Sequence, residues 1–241
     1  MAPLFPANAT KYLGAKTLDK DYIMLSFRDG EVCYRDSGEG ESAFLGHSFA
    51  EGDDTLKVFG PRLVTDLATN PGLWKITSDE DQDFGTLHPV AVHRRAKPMN
   101  TDHTLASELD HTLYLKLPKP MRQGCTYTVA IPKESGSDTY RDSVLFDVFS
   151  SPSEAVHVNI IGYKPTQETN AADLYLWLGD GGQRDFSGFE GKRVWLHNVS
   201  TGENKEVGKV SFWKKQSEYA NEANRKNNTG SDVWNIDFPR T

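Results

Sequence analysis

Apolar residues along this chain recur mainly at every second position, in short runs separated by turn residues. Residues 22–27 (YIMLSF), 111–117 (HTLYLKL), 126–131 (TYTVAI) and 144–149 (VLFDVF) all follow this pattern, and 111–117 places Leu113, Leu115 and Leu117 on one face. Period two marks a half-buried β-strand, because successive side chains leave a strand on opposite sides. Glycine-containing turn signals recur at 28–30, 38–40, 124, 136, 179–182 and 201–202. Residues 31–35 (EVCYR) follow Asp29-Gly30 and read as the hairpin partner of 22–27. Helix signals are sparse. Residues 65–74 (TDLATNPGLW) fit one short helical turn, and 214–228 has helix formers but no apolar stripe, as in an exposed loop or frayed helix. Many short strands at this spacing predict an all-β chain built of sandwiches.

The polar run Ser150-Ser151-Pro152-Ser153 follows a finished strand pattern and marks the expected domain boundary. Two consecutive β-sandwich domains are therefore expected, 1–152 and 153–241. In the second, residues 172–182 (ADLYLWLGDGG) turn Leu174, Leu176 and Leu178 one way and Tyr175 and Trp177 the other. Residues 192–199 (KRVWLHNV) oppose Val194, Leu196 and Val199 to Trp195 and His197. With 156–161 (VHVNII) and 231–239 (SDVWNIDFP), these make a small antiparallel sandwich of immunoglobulin type. The pattern leaves open which face is core. If the leucines are inside, Tyr175, Trp177 and Trp195 face out and either dock a neighbouring domain or stack on sugar rings; if the tryptophans are inside, the leucines meet the first domain. Trp74, Trp213 and Trp234 read as packing residues.

Composition narrows the partners. A formal net charge of −7, with no basic run longer than Arg94-Arg95, argues against nucleic acid. No apolar run approaches the roughly 20 residues that span a bilayer. The opening MAPLFPANAT has neither a charged nor an apolar leader region, which fits a cytosolic chain or one whose leader has been removed. Cys33 and Cys125 are too few for a disulfide scaffold; they either form one bridge or are small buried apolar groups. Three N-x-S/T sequons, at Asn8, Asn198 and Asn227, read as chance occurrences.

Candidate chemistry is thin. Asp79, Asp81 and Asp83 alternate ahead of Gly85, which suggests a weak calcium site, although the glycine comes one place late for such a loop and Val90 stands where a bidentate glutamate belongs. No other cofactor is expected. Acidic pairs such as Asp53-Asp54 read as solvated loop residues, not as carboxylates facing across a cleft. The seven histidines form no HExxH spacing, and neither a G-x-S-x-G elbow nor a G-x-G-x-x-G phosphate loop occurs. No catalytic residue is assigned.

One stretch carries a family resemblance. Val158-Asn159-Ile160-Ile161-Gly162-Tyr163-Lys164-Pro165, together with Trp234-Asn235-Ile236-Asp237-Phe238, resembles the opening and a later strand of the immunoglobulin-like module that precedes the catalytic domain in family 9 glycoside hydrolases (cellulase-type enzymes). The resemblance covers about residues 155–238. It departs at Ile160, where the family has glutamine, and at Asn170, where a lysine is common. The family's catalytic machinery lies in a separate helical barrel downstream, so no catalytic residue carries over. The module normally continues past the aspartate-phenylalanine pair, which implies that this chain is a piece of a longer protein or lacks a last strand. The implied function is a non-catalytic accessory region of an extracellular or periplasmic bacterial polysaccharide-degrading enzyme, whose partner is the catalytic domain of the same parent protein. The rival expectations are a carbohydrate-binding protein using exposed aromatics, and a structural protein that self-associates through an open sheet edge.

Overall fold

The computed structural model describes residues 9–35, 42–44, 47–49, 55–102, 104–164, 169–217 and 229–239. Asp53-Asp54, Gly38 to Gly40, Pro165, the sequon residues Asn8 and Asn227, and segment 218–228 lie outside the described residues, as do the side chains of Cys33 and Phe238. The chain is all-β apart from one short α-helix and brief 3-10 turns among those residues. It divides into two compact units, Met1–Phe146 and Asp147–Thr241, so the division falls where a strand ends at Phe146, six residues before the 152/153 boundary expected from composition.

The strands of the first unit are β1 (Lys11–Asp19), β2 (Tyr22–Asp29), β3 (Glu31–Arg35), β4 (Ser42–Phe44), β5 (His47–Phe49), β6 (Thr55–Phe59), β7 (Lys75–Thr77), β8 (Thr86–Leu87), β9 (Ala91–Thr101), β10 (Ser107–Lys116), β11 (Cys125–Ala130) and β12 (Arg141–Phe146). Two four-stranded antiparallel sheets, ordered β1-β2-β10-β9 and β12-β11-β7-β8, carry its core. Ile23, Leu25, Phe27, Leu113 and Leu115 from the first sheet meet Ile76, Tyr127, Val129, Val144 and Phe146 from the second in one buried cluster. This is the alternation of the sequence turned inward, as in a sandwich. Trp74 is fully buried among them, its indole N–H donating to the Ala68 carbonyl at 2.9 Å. The helical turn expected at 65–74 is present as α1 (Thr65–Ala68) followed by a 3-10 turn at Pro71–Leu73. Cys125 is a free thiol within this core.

The β2–β3 hairpin expected at Asp29-Gly30 does not form. β3 pairs with β6, while β2 is flanked by β1 and β10. With both edges of β2 taken, β3 has no place beside it, and the Asp29 side chain anchors the end of the strand. It turns inward and accepts from the Leu63 N–H at 3.3 Å, the Leu109 N–H at 3.2 Å, Arg62 at 3.2 Å and His111 Nε2 at 2.7 Å. His111 in turn accepts at Nδ1 from Arg94 Nε at 2.9 Å. Asp29 and His111 are both buried, so their polar groups need these partners. Burial alone would raise the Asp29 carboxyl; the hydrogen bond from His111, the Leu63 N–H and the Arg62 guanidinium outweigh it and hold the group below its ordinary value.

The strands of the second unit are β13 (Val156–His157), β14 (Thr169–Leu174), β15 (Arg193–His197), β16 (Asn204–Lys209), β17 (Ser211–Lys214) and β18 (Val233–Pro239). A four-stranded sheet is ordered β13-β14-β18-β17, and β15-β16 form a separate ribbon whose β16 lies beside β18. Leu174, Leu176, Leu178, Phe186, Val207, Val210, Val233, Trp234 and Ile236 are buried. Trp234 packs edge-on against Phe186 at 6.0 Å and Phe212 at 5.6 Å, the arrangement favoured by ring quadrupoles.

The strand expected across 156–161 is confined to Val156 and His157. Asn159 stops it: its carbonyl accepts from the Gly162 N–H at 2.9 Å and its side chain accepts from the Ile161 N–H at 3.1 Å. Asparagine at the first position and glycine at the fourth suit such a turn, and Gly162 stands at φ +86°, where a side chain would be strained. Tyr163 ties the turn down, its hydroxyl donating to the Ala171 carbonyl and accepting from the Asn159 N–H at 3.3 Å.

Candidate functional site: the aromatic face of the second unit

Leu174, Leu176 and Leu178 are buried, which decides the question that alternation left open. The leucine face is core and the aromatic face points away from it. Tyr175 is half-buried and stacks on His157, with ring centroids 3.8 Å apart and planes 11° from parallel. His157 Nε2 also lies 3.1 Å from the Tyr175 carbonyl oxygen, which fixes the pair. Trp177 is 45 % exposed and Trp195 49 %. The structure therefore spends Tyr175 on an internal stack and leaves the two indoles open.

Trp213 was expected to pack, and it does not: it is 61 % exposed. A register irregularity between Phe212 and Lys214 explains this. Phe212 pairs with Trp234 and Lys214 with Val233, so Trp213 has no opposite residue on β18 and stands out of the ladder. Trp74 and Trp234 are buried as expected. On β15 neither face is closed off: Leu196 is exposed as well as Trp195, because among the described residues β15 pairs with β16 alone and Trp195 follows a register shift there.

The local setting of the three indoles differs. Trp195 lies beside exposed Leu196 and opposite Glu206, which pairs with Arg193 at 3.4 Å. Trp213 adjoins the partly exposed Phe212. Trp177 instead has a polar neighbourhood, bridging to Gln183 across the loop 178–182. The turn at 159–162 adds a second exposed apolar element, with Ile160 98 % and Ile161 91 % exposed. Sequence reading missed this pair; its signal was the Asn159-to-Gly162 turn spacing, hidden by an apparently strand-like run.

The acidic triplet is not brought together. Asp81 is buried and accepts from the Tyr127 hydroxyl at 2.7 Å, and Arg122 lies 4.0 Å from it. Burial, with Asp81 as its acceptor, pushes the Tyr127 hydroxyl up to about 12. Asp83 points to solvent with Arg122 at 3.6 Å, and Asp79 is exposed. Among the described residues no three His, Cys, Asp or Glu side chains stand close enough to hold a metal ion. Among them, too, no helix is long and apolar enough to cross a membrane.

The fold and the face just described define an all-β chain of two units whose second unit presents indoles and aliphatic groups to solvent. No family model matches the chain, and no match exists among curated proteins. Among solved structures, the N-terminal part of the bacterial S-layer protein SbsC aligns with a TM-score of 0.33 and 14 % identity, over 81 % of this chain and 37 % of that one. The chain thus spans little more than a third of that neighbour's length.

Proposed function

We propose that this chain is a non-catalytic accessory region of an extracellular or periplasmic bacterial polysaccharide-degrading glycoside hydrolase, and that its second unit supports a catalytic domain of the same parent protein. The observation that carries this reading is the exposed apolar element at Ile160 and Ile161, held out by a fixed turn within the stretch that resembles the family 9 immunoglobulin-like module. A rigid turn that presents two isoleucines to water is a poor solvent surface and a good docking surface. Trp195 with Leu196, and Trp213 with Phe212, are further apolar contacts of the kind a neighbouring domain covers. The experiment is a turnover panel: purified chain incubated with soluble and insoluble β-glucans, released reducing ends being measured. No release above the buffer blank is expected; release that follows the chain through successive purification steps overturns the reading.

A second reading, a carbohydrate-binding protein, is favoured by the polar surroundings of the exposed Trp177. It predicts retention on an insoluble glycan, and a blank pull-down panel removes it.

A further inference from the structure

We infer that Trp177, Gln183 and Asp232 form a platform for one neutral pyranose unit of a glycan. The inference deepens the carbohydrate-binding reading and rests on it for the class of ligand.

The indole is held in place. Trp177 packs directly on Gly230, and a Cβ there would come within 3.0 Å of Trp177 Cγ and 3.2 Å of Cδ1. Gly230 also stands at φ +68°, so both its conformation and its contact select glycine. The ring is therefore supported on one side while much of it remains open to solvent. The antiparallel bridge between Trp177 and Gln183 puts their side chains on the same face as direct neighbours. That bridge is closed by Leu178 N–H donating to the Gly182 carbonyl at 2.7 Å and Arg184 N–H donating to the Leu176 carbonyl at 2.9 Å.

Beside the indole, two planar polar groups are locked together. The Asp232 N–H donates to Gln183 Oε1 at 2.8 Å, and Gln183 Nε2 donates to Asp232 Oδ2 at 3.3 Å. The Gln216 N–H donates to Asp232 Oδ1 at 2.6 Å. These bonds use one of the two Gln183 amide hydrogens and part of the carboxylate's acceptor capacity. One donor and several acceptor sites remain beside the ring.

The combination fits a pyranose. One sugar face is a patch of weakly positive C–H groups, which suits the negative face of an indole. Its rim is hydroxyl groups that both donate and accept, which suits an amide beside a carboxylate. An apolar protein surface laid on the same spot would bury Asp232 and Gln183 without replacing their water, a cost that favours the sugar. Charge selects further. Asp232 is itself part of the platform, and Asp180 and Asp185 belong to the same loop system; among the described residues the cations of this stretch are Arg184, which lies over the Phe186 ring at 5.3 Å and donates to the Asp185 carbonyl, and Lys214 and Lys215, which precede Gln216. A uronate or sulfated sugar laid on the indole would set its charge beside the Asp232 carboxylate that the rim hydroxyls must use, so the sugar is neutral.

The test titrates the whole purified chain with a neutral β-1,4-gluco-oligosaccharide and a galacturonate oligomer of equal length, followed by calorimetry. The neutral oligomer is expected to bind and the galacturonate not. Trp177→Ala weakens binding by about tenfold or more, as loss of one stacked ring does, and Gln183→Ala weakens it with the melting temperature kept. Trp195→Ala leaves it within about twofold, since Trp195 makes none of the contacts that build this platform. Should Trp177→Ala fail to fold, Gln183→Ala carries the test. Binding that survives both substitutions but disappears with Trp195→Ala overturns this platform and leaves the carbohydrate-binding reading standing. Failure of the intact chain to bind any neutral oligomer or insoluble glycan overturns both.

Discussion

Asp29 shows how one buried carboxylate ties separate segments together. Its four donors come from two other segments, so it joins its own strand β2 to β10 and the loop at 62–63 around one buried acceptor. Asp29→Asn presents an amide N–H₂ to groups that are themselves donors. It is expected to destabilise the chain by about 2–4 kcal/mol, as breaking a buried hydrogen-bonded charge does, readable as a lowered denaturant midpoint with unchanged slope. The same residue sets an acid dependence. Its folded-state value is depressed, so its contribution is fully present above the unfolded aspartate value of about 3.9 and is lost as pH falls through the lower folded value. Chemical denaturation from neutral pH downward should therefore show a stability loss at acid pH that is smaller in Asp29→Asn. Equal acid loss in both proteins contradicts this assignment.

Strand identity was largely legible in the sequence, strand partnership much less so. The alternation at 111–117 and 126–131 puts Leu113, Leu115, Leu117, Tyr127, Val129 and Ile131 in the core, because period two is a direct consequence of strand geometry; at 172–178 it separated two faces without saying which is core, and it did not show that Tyr114, opposite the leucines, is buried too. The pairing of β3 with β6 was not legible, since a partner some twenty residues away leaves no local pattern and the Asp29-Gly30 signal pointed elsewhere. At 156–161 two local signals competed. The apolar alternation suggested a strand, but the Asn159 side chain satisfies the Ile161 N–H and Gly162 supplies the reversal, so turn chemistry wins over periodicity. Trp213 was misjudged for a related reason, because a register shift of one residue cannot be seen in an amphipathic pattern. The turn yields a prediction at this scale. Ile160→Asp with Ile161→Asp removes apolar groups that touch little, so stability should stay within about 0.5 kcal/mol, measured by thermal melting. A large loss would mean that these side chains already pack in the isolated chain.

At the scale of the molecule, two β-units differ in how they use aromatic residues. The first closes Trp74, Tyr127 and Phe84 into its core, with Phe84 and Tyr127 edge-on at 4.8 Å. The second buries Trp234 and turns Trp177, Trp195 and Trp213 outward. Supporting a neighbouring domain and holding a sugar both depend on that outward display, so it is the premise to test. The direct measurement is mild oxidation of tryptophan in the folded chain, with modified indoles located by peptide mass. The account predicts rapid modification of Trp177, Trp195 and Trp213 and protection of Trp74 and Trp234 until the chain unfolds. Protection of Trp177 and Trp195 in the native protein, with the leucine face reactive to other probes, would contradict it.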